Sequence, residues 1–93
     1  MNDFSLEGNV AVVTGGGRGI GRAIAHAFAR EGADVALAAR TKEQIERTAE
    51  EVEQLGRRAV AIVADVSNEV AVRDLIEGTV REFGTVDILV NNA

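Results

Sequence analysis

The sequence predicts an α/β fold built on a parallel sheet. Short apolar runs alternate with segments whose apolar residues recur about every 3.6 positions, in the order β-α-β-α-β-α-β. A glycine follows each predicted helix, at Gly32, Gly56 and Gly84. The strands are continuously apolar, which is typical of strands buried on both faces. With right-handed crossovers, such a chain gives the doubly wound strand order 3-2-1-4 with three crossover helices.

The first half of the chain contains two strands and two helices. Residues 10–13 form the first predicted strand, and a helix follows over residues 19–31. The second strand is Asp34–Ala39. Thr41 and Gln44 have the spacing of a capping box, in which the third helical side chain bonds back to the cap. The predicted apolar stripes are Ile20, Ile24, Ala27 and Phe28 in the first helix, and Ile45, Thr48, Ala49, Val52 and Leu55 in the second.

The second half contains a buried strand over residues 59–64, a third helix and a fourth strand over residues 87–90. Ser67 is the predicted cap of the third helix. Gly78 lies inside that helix and costs about 1 kcal/mol relative to alanine, so close packing is expected there. Phe4 or Leu6 is expected to pack against the sheet edge. The stripe predicted for the third helix is Val72, Leu75, Ile76, Thr79, Val80 and Phe83.

Composition excludes several classes of protein. The 93 residues carry a formal net charge of −5, which does not favour a nucleic-acid partner. No apolar run approaches the ~20 residues of a membrane span, and the N-terminus lacks a signal-peptide pattern, so a cytoplasmic protein is expected. The sequence has no cysteine, and His26 is its single histidine. We interpret His26 as solvated, because it falls beside Arg22 and Arg30, off the apolar stripe of the first helix. A metal site is not favoured, since no further His or Cys completes one. No repeat or linker interrupts residues 1–93, which are interpreted as one unit.

A glycine-rich stretch after the first strand is the predicted ligand site. Five glycines fall within residues 15–21. A strand, a glycine turn and a helix together aim N–H groups at a phosphate, and the helix dipole favours its charge. The spacing Gly-x-Gly-x-x-Gly fails here, because Ile20 or Arg22 stands where its last glycine is required. The P-loop register from Gly16 also fails, since Arg22 follows where lysine is needed, so a kinase or ATPase is not favoured.

The pattern Thr14-Gly15-x-x-x-Gly19-Ile20-Gly21 resembles the cofactor loop of the short-chain dehydrogenase/reductase family, which binds NAD(H) or NADP(H). The resemblance implies a partial Rossmann (doubly wound) fold and identifies residues 1–93 as the N-terminal NAD(P)-binding half-domain. The alternative is a glycine-rich turn without a ligand. The loop residues expected to bind the cofactor are Thr14, Gly15, Gly17, Arg18, Gly19, Ile20 and Gly21.

Arg40 favours NADP(H) over NAD(H). An NAD site places Asp or Glu on the ribose hydroxyl about 20 residues beyond the glycine turn, whereas this chain has Arg40 and Thr41 there. A guanidinium suits a phosphate, and a cation beside a helix N-terminus is disfavoured unless an anion binds. NADP-preferring members of the family commonly carry basic residues at the positions of Arg18 and Arg40. The alternative is that both are ordinary surface arginines.

Two later segments complete the resemblance. Asp65 and Val66 match the pair that contacts the adenine edge in the family, although Asp65 could instead cap the following helix near Ser67. Asn91-Asn92-Ala93 resembles the start of the family's Asn-Asn-Ala-Gly segment. There Asn91 would tie adjacent strand ends together, and Asn92 would line the nicotinamide-ribose side.

In the family a tyrosine passes the proton, and a lysine lowers the pKa of that tyrosine; both lie beyond the position of Ala93. This chain has no tyrosine, and its one lysine is Lys42 at the adenosine side. Residues 1–93 alone are therefore expected to be inactive. The parent protein is expected to be a homo-oligomer that reduces a ketone or a 3-oxoacyl thioester with NADPH, and the look of the loop is closest to 3-oxoacyl-carrier-protein reductases. The alternatives are a stand-alone nucleotide-binding module and an inactive truncation.

Overall fold

The structure, a computed structural model, describes residues 5–92. Strands and helices alternate along these residues, as the sequence predicts. The elements are β1 (Val10–Thr14), α1 (Gly19–Arg30), β2 (Asp34–Ala39), α2 (Lys42–Gln54), β3 (Ala59–Val63), α3 (Glu69–Phe83) and β4 (Ile88–Val90). Each element lies within two residues of its predicted bounds. Of the helices that the structure describes, none combines the length and apolarity needed to cross a membrane.

The four strands form one parallel sheet in the order β3-β2-β1-β4. This confirms the predicted strand order and the doubly wound arrangement. Val12 lies between Ala36 of β2 and Leu89 of β4 in the register. Because the strands are parallel, their carboxyl ends all meet at one edge, and the loops that follow them are brought together there.

The core lies on the two faces of the central strands β1 and β2. One cluster joins these strands to α1 and α2, and the second joins them to α3. Leu37 faces the first cluster and Val12 faces the second, and both are fully buried. The buried members of the clusters are Val13, Ala25, Ala29, Val35, Leu37, Ile45, Ala49 and Val52 in the first, and Val12, Ala36, Ala38 and Leu75 in the second.

The prediction of a buried third strand is wrong. Residues 59–62 of β3 are only half-buried, and Val63 is 55% exposed. The reason is position: β3 is an edge strand, so one side lacks a neighbour and its faces are partly uncovered. At the opposite edge, Leu89 in β4 is 51% exposed for the same reason.

The predicted apolar stripe of α1 is also wrong at two positions. The buried face carries the small residues Gly21, Ala25 and Ala29, while Ile20 is 71% exposed and Ala27 is exposed. Small side chains let the helix axis approach the sheet closely. The face of α1 that packs on the sheet is therefore the one with the smallest side chains, which a search for large apolar residues does not identify. Ile24 and Phe28 flank this face and are partly buried against the core, as predicted.

Three predictions for the later helices need correction. Asn68, rather than Ser67, caps α3, because its Oδ1 accepts the N–H groups of Val70 and Ala71 at 2.8 and 3.3 Å. Gly78 has no tight neighbour: a Cβ there would meet only the Ile62 side chain, at an ordinary 3.7 Å. Val80 in α3 is exposed, because the helix covers the sheet with Leu75 and Thr79 instead.

Two further predictions concern residues next to the ends of elements, namely Leu55 after α2 and Leu6 or Phe4 before β1. Leu55 is exposed because α2 ends at Gln54, one residue before it. In the lead-in to β1, Leu6 is half-buried and its N–H donates to the carbonyl of Glu31 at 2.7 Å. Phe4, the alternative to Leu6 in the sequence analysis, lies outside the described residues.

Candidate functional site

A cavity of about 500 Å³ lies at the carboxyl ends of the strands. All four strand ends contribute to it, which places it in the crevice where a doubly wound sheet binds ligands. The residues that line it are Gly15, Gly17 and Arg18 after β1, Ala39, Arg40, Thr41 and Gln44 around the start of α2, Ala64, Asp65, Val66 and Ser67 after β3, and Asn91 and Asn92 after β4.

The cavity brings together most of the residues that the sequence singles out. Those that line it are Gly15, Gly17, Arg18, Arg40, Thr41, Asp65, Val66, Asn91 and Asn92. Thr14, Gly19, Ile20 and Gly21 adjoin this group in sequence but are not part of the lining, and Ala93 lies outside the described residues. Ala39, Gln44, Ala64 and Ser67 line the cavity without having been predicted. Ala39, Ala64 and Ser67 lie at or within four residues of a strand end, and Gln44 lies in the first turn of α2, which follows β2.

Thr14 joins the ends of β1 and β4 at the floor of the site. Its hydroxyl lies 3.2 Å from the carbonyl of Val90 and 3.2 Å from Oδ1 of Asn91, and it accepts the N–H of Asn92 at 2.9 Å. The Thr14 side chain is buried. These bonds fix the backbone from which both asparagines project.

Gly15 and Gly21 are required by close contacts with backbone atoms of the protein. A Cβ on Gly15 would overlap the carbonyl of Asn92, and Gly15 also has a φ of +67°. A Cβ on Gly21 would overlap the carbonyl of Gly15 and lie 2.8 Å from Nδ2 of Asn92. The absence of side chains at these positions allows α1 to sit directly on the turn and on the end of β4.

Gly19 differs from these glycines. It has a φ of +59°, and a Cβ built on it would meet no atom within 4 Å. The turn is therefore open at Gly19, at the first residue of α1, while Gly16 and Gly17 face Leu37 and Gln44. An open backbone at a helix N-terminus is the arrangement that admits a phosphate group.

No side chain among residues 5–92 caps the N-terminus of α1. Its cap residue, Arg18, is extended and supplies no side-chain bond, and the first turn holds no acidic residue. By contrast, α2 has Glu43 in its first turn, and α3 has both Glu69 and the Asn68 cap. The first N–H groups of a helix have no intrahelical partner, so those of α1 are available to an anion.

Two guanidinium groups belong to the same cavity. Arg18 precedes α1 and Arg40 lies one residue before the Thr41 cap of α2, and both side chains are exposed. Neither forms an ion pair with another residue between 5 and 92. Both cations thus stand beside helix N-termini, where the dipole disfavours positive charge. An anionic ligand would compensate for this placement.

Asp65 is the acidic group in the lining. Its Oδ1 accepts from the hydroxyl of Ser67 at 2.7 Å and from the backbone N–H of Ser67 at 3.1 Å. These two hydrogen bonds, with a smaller contribution from the charge of Arg40, hold the pKa of Asp65 below its ordinary value. Asp65 is therefore an ionised acceptor at neutral pH, and it orders the turn before α3 without capping that helix.

The predicted capping box at the start of α2 is not formed. Thr41 is the cap residue, but its side chain makes no capping hydrogen bond. The Gln44 side chain instead lies over Gly17: a Cβ on Gly17 would stand 2.7 Å from Cβ and 3.3 Å from Oε1 of Gln44. Packing between α2 and the glycine turn thus overrides the local capping pattern, and leaves the Thr41 hydroxyl and the Gln44 amide at the cavity.

His26 is not the solvated side chain that the sequence suggested. Its Nε2 lies 2.9 Å from Oε1 of Glu51, and only 21% of its side chain is exposed. Arg22 also donates to Glu51, through Nε at 2.8 Å. This contact could not be predicted from local sequence, because Glu51 lies on α2, 25 residues from His26. Within residues 5–92 there is no group of three or more acidic, histidine or cysteine side chains that could hold a metal ion.

Comparison with known proteins gives consistent matches. The profile of the family described as short chain dehydrogenase matches residues 9–93. An uncharacterized oxidoreductase of Mycobacterium tuberculosis is 47% identical over 92 residues, which are 99% of this chain and 35% of that protein. A short-chain dehydrogenase/reductase homolog of Bacillus subtilis is 48% identical over 85 residues, which are 90% of this chain and 78% of that protein.

Solved structures match over nearly all of the chain. A putative short-chain alcohol dehydrogenase from Sinorhizobium meliloti 1021 superimposes with a TM-score of 0.93 at 46% identity, covering 99% of this chain and 36% of that one. A hydroxysteroid dehydrogenase from Escherichia coli gives a TM-score of 0.92 at 38% identity, covering 96% and 38%. The chain spans about a third of the length of the first three curated relatives that it matches.

Proposed function

This chain belongs to the short-chain dehydrogenase family, and we propose that residues 1–93 are the NADP(H)-binding half-domain of an oxidoreductase. The observation that carries the proposal is the pair of guanidinium groups, Arg18 and Arg40, in one cavity beside two helix N-termini. A dinucleotide with an additional phosphate on its adenosine ribose supplies anionic groups for both helix ends. The exposed Thr41 hydroxyl adds a neutral donor beside Arg40.

The glycine turn would hold the pyrophosphate. The open backbone at Gly19 and the uncapped first turn of α1, which continues through Ile20 and Gly21, offer N–H donors with a favourable dipole. Gly15 and Gly17 have a different task in this proposal, because they allow Asn92 and Gln44 to approach the turn. The site is therefore shaped by contacts within the protein before any ligand binds.

The other loops would place the two ends of the dinucleotide. Asp65 is ionised and can accept a hydrogen bond from the amino group of adenine, while Val66 offers a backbone amide and an apolar side chain. Asn92 would bind the nicotinamide ribose, and we propose that Ala93, the next residue, also contacts the cofactor. Asn91 contributes indirectly, since its bond to Thr14 fixes the end of β4.

When bound, the cofactor would supply a hydride for the reduction of a carbonyl group, and we propose a ketone or a 3-oxoacyl thioester as the substrate. Residues 1–93 contain no tyrosine, and their one lysine, Lys42, begins α2. They bind and orient the dinucleotide but offer no proton donor of the kind the family uses. The catalytic groups and the substrate pocket thus belong to a further part of the parent protein, which we propose to be a cytoplasmic homo-oligomer.

Arg40→Asp tests the cofactor preference. Loss of a charge-assisted hydrogen bond to phosphate, worth about 1.5–3 kcal/mol, is expected to weaken NADPH binding by roughly 10- to 100-fold. Binding of NADH, which lacks that phosphate, should change by less than about threefold on the same scale. Isothermal titration of the parent protein and the variant with each nucleotide measures both constants.

Arg47→Asp is the matched control, since Arg47 is an exposed arginine on α2 that does not line the cavity. It makes the same change in net charge and should leave the ratio of the two dissociation constants unaltered. Tighter binding of NADH than NADPH by the parent, or an unchanged ratio in Arg40→Asp, would show that Arg40 does not select the cofactor.

A second candidate is a stand-alone module that binds a nucleotide without catalysis. The observation that favours it is the Bacillus subtilis relative, of which the matching segment makes up 78%. A protein of this kind would bind NADPH and yet give no carbonyl reduction. Catalytic turnover by the native protein with NADPH and a panel of ketones and 3-oxoacyl thioesters would reject this candidate.

A further inference from the structure

Gln44 is a polar residue of the cavity that the proposed function leaves without a role. It lies in the first turn of α2, next to Thr41 and Arg40, and is half-buried. Its side chain packs over Gly17, as the 2.7 Å separation between Cβ of Gln44 and a Cβ built on Gly17 shows. The contact fixes the root of the side chain and keeps it beside the glycine turn.

The carboxamide of Gln44 is not used within the described part of the chain. The bond that involves this residue runs from the Thr48 hydroxyl to its backbone carbonyl at 3.2 Å, and the side-chain nitrogen and oxygen take part in none. A carboxamide has two N–H donors and one carbonyl acceptor. Gln44 can therefore donate to a phosphate or accept from a hydroxyl without changing its own charge.

We propose that Gln44 is a specificity-determining residue for the group on the 2′ position of the adenosine ribose. This inference rests on the proposed function, because it assumes that the adenosine end lies between Arg40 and Asp65. Arg40 contributes the charge that favours a phosphate, and the two N–H donors of Gln44 find more acceptor oxygens on a phosphate than on a hydroxyl. The preference for NADPH is then set jointly by the two residues, and a charge at position 44 should change it in a predictable direction.

Three variants of the parent protein test the inference. Gln44→Glu keeps the size of the side chain but replaces the donor by a carboxylate, and should weaken NADPH binding by roughly tenfold or more while NADH changes less than about threefold. Gln44→Lys should strengthen NADPH binding by about threefold to tenfold. Gln44→Ala removes the bond and should weaken NADPH binding by about tenfold while NADH changes less than about threefold.

The readouts are dissociation constants from isothermal titration with NADPH, NADH, adenosine 2′,5′-bisphosphate and 5′-AMP. The two adenosine fragments isolate the 2′ position, because they lack the nicotinamide half. Glu43→Gln is the control for Gln44→Lys, since it makes the same change in net charge at the neighbouring exposed residue, outside the lining. It should not alter the ratio of constants. Circular dichroism establishes that each variant folds.

The outcomes separate this inference from the function on which it rests. If the parent binds neither dinucleotide, the proposed function fails. If the parent prefers NADPH and the ratio of constants stays the same in folded Gln44→Ala, or in both folded charged variants, Gln44→Glu and Gln44→Lys, Gln44 is not a specificity determinant. An equal loss of NADPH and NADH binding in these variants would likewise overturn the inference, because it would show a role in supporting the glycine turn alone.

Discussion

At the scale of single residues, the site depends on a few side chains that hold the strand ends in register. Thr14 is the clearest case, because one buried hydroxyl serves Val90, Asn91 and Asn92 at distances of 2.9 to 3.2 Å. A buried polar group left without a partner costs more than the bond itself contributes. The hydroxyl thus couples the stability of the β1–β4 junction to the position of the two asparagines.

Thr14→Val tests this coupling with a side chain of nearly the same shape. The variant leaves the N–H of Asn92 without its acceptor, so the free energy of unfolding should fall by about 1–3 kcal/mol. Urea denaturation of the parent protein measures the change. Thr14→Ser retains the hydroxyl and should lose less. Equal losses in the two variants would mean that the methyl group, rather than the hydrogen bonds, stabilises the junction.

At the scale of elements, Glu51 links the two helices that border the site. It lies on α2 and accepts from Arg22 and His26 on α1. The hydrogen bonds from Arg22 and then from His26 lower the pKa of Glu51 to about 2. Arg22, in turn, has its pKa raised by the same contact. Because α1 follows the glycine turn and α2 follows Arg40, this link joins the two helices that border the cationic sides of the cavity.

The stability contributed by Glu51 is expected to depend on pH. A carboxylate whose pKa is lowered in the folded state stabilises the fold fully above its unfolded pKa, near 4.5, and loses that effect as the pH falls toward 2. The difference in unfolding free energy between wild type and Glu51→Gln should therefore be largest above pH 5 and shrink on acidification. Urea titrations from pH 7 to pH 3 measure it.

The control is Glu53→Gln, an exposed position on the same helix for which the described residues show no ion pair. Its difference from wild type should stay small across the same range. A difference for Glu51→Gln that is independent of pH would indicate that the carboxylate does not contribute through its charge.

At the scale of the whole molecule, the two edge strands of the sheet are more exposed to solvent than its central strands. The central strands β1 and β2 are buried, whereas β3 and β4 have apolar residues that reach solvent, among them Val63 and Leu89. An edge strand with exposed apolar side chains presents unpaired backbone groups to other chains. Parallel sheets are ordinarily covered on both faces, whereas residues 5–92 leave β3 and β4 partly exposed.

The polypeptide of residues 1–93 is therefore expected to self-associate when it is prepared alone. Sedimentation velocity at several concentrations measures the association, and thermal denaturation measures its cooperativity. Leu89→Lys places a charge on the β4 edge and should reduce the associated fraction, whereas Glu82→Lys, at an exposed position on α3, is the control. A monomer with a sharp thermal transition would contradict this expectation and favour the stand-alone module.

The sequence by itself determined the order of the elements and the strand order of the sheet. Apolar runs at Val10–Thr14 and Asp34–Ala39, separated by a helical period and ended by glycine, allow few other topologies. The same topology fixes which loops share an edge. For that reason Arg18, Arg40 and Asp65, which are far apart in the chain, could be assigned to one cavity before the structure was known.

Tertiary structure decided what no local pattern contains. The buried face of α1 follows from its close approach to Gly15, the Gln44 side chain turns to Gly17 instead of capping its own helix, and His26 meets Glu51 from a different helix. In each case a contact between distant parts of the chain outweighs a local preference worth about 1 kcal/mol or less. Periodicity and capping rules report only the local preference, so the partners of these side chains appear when the elements pack.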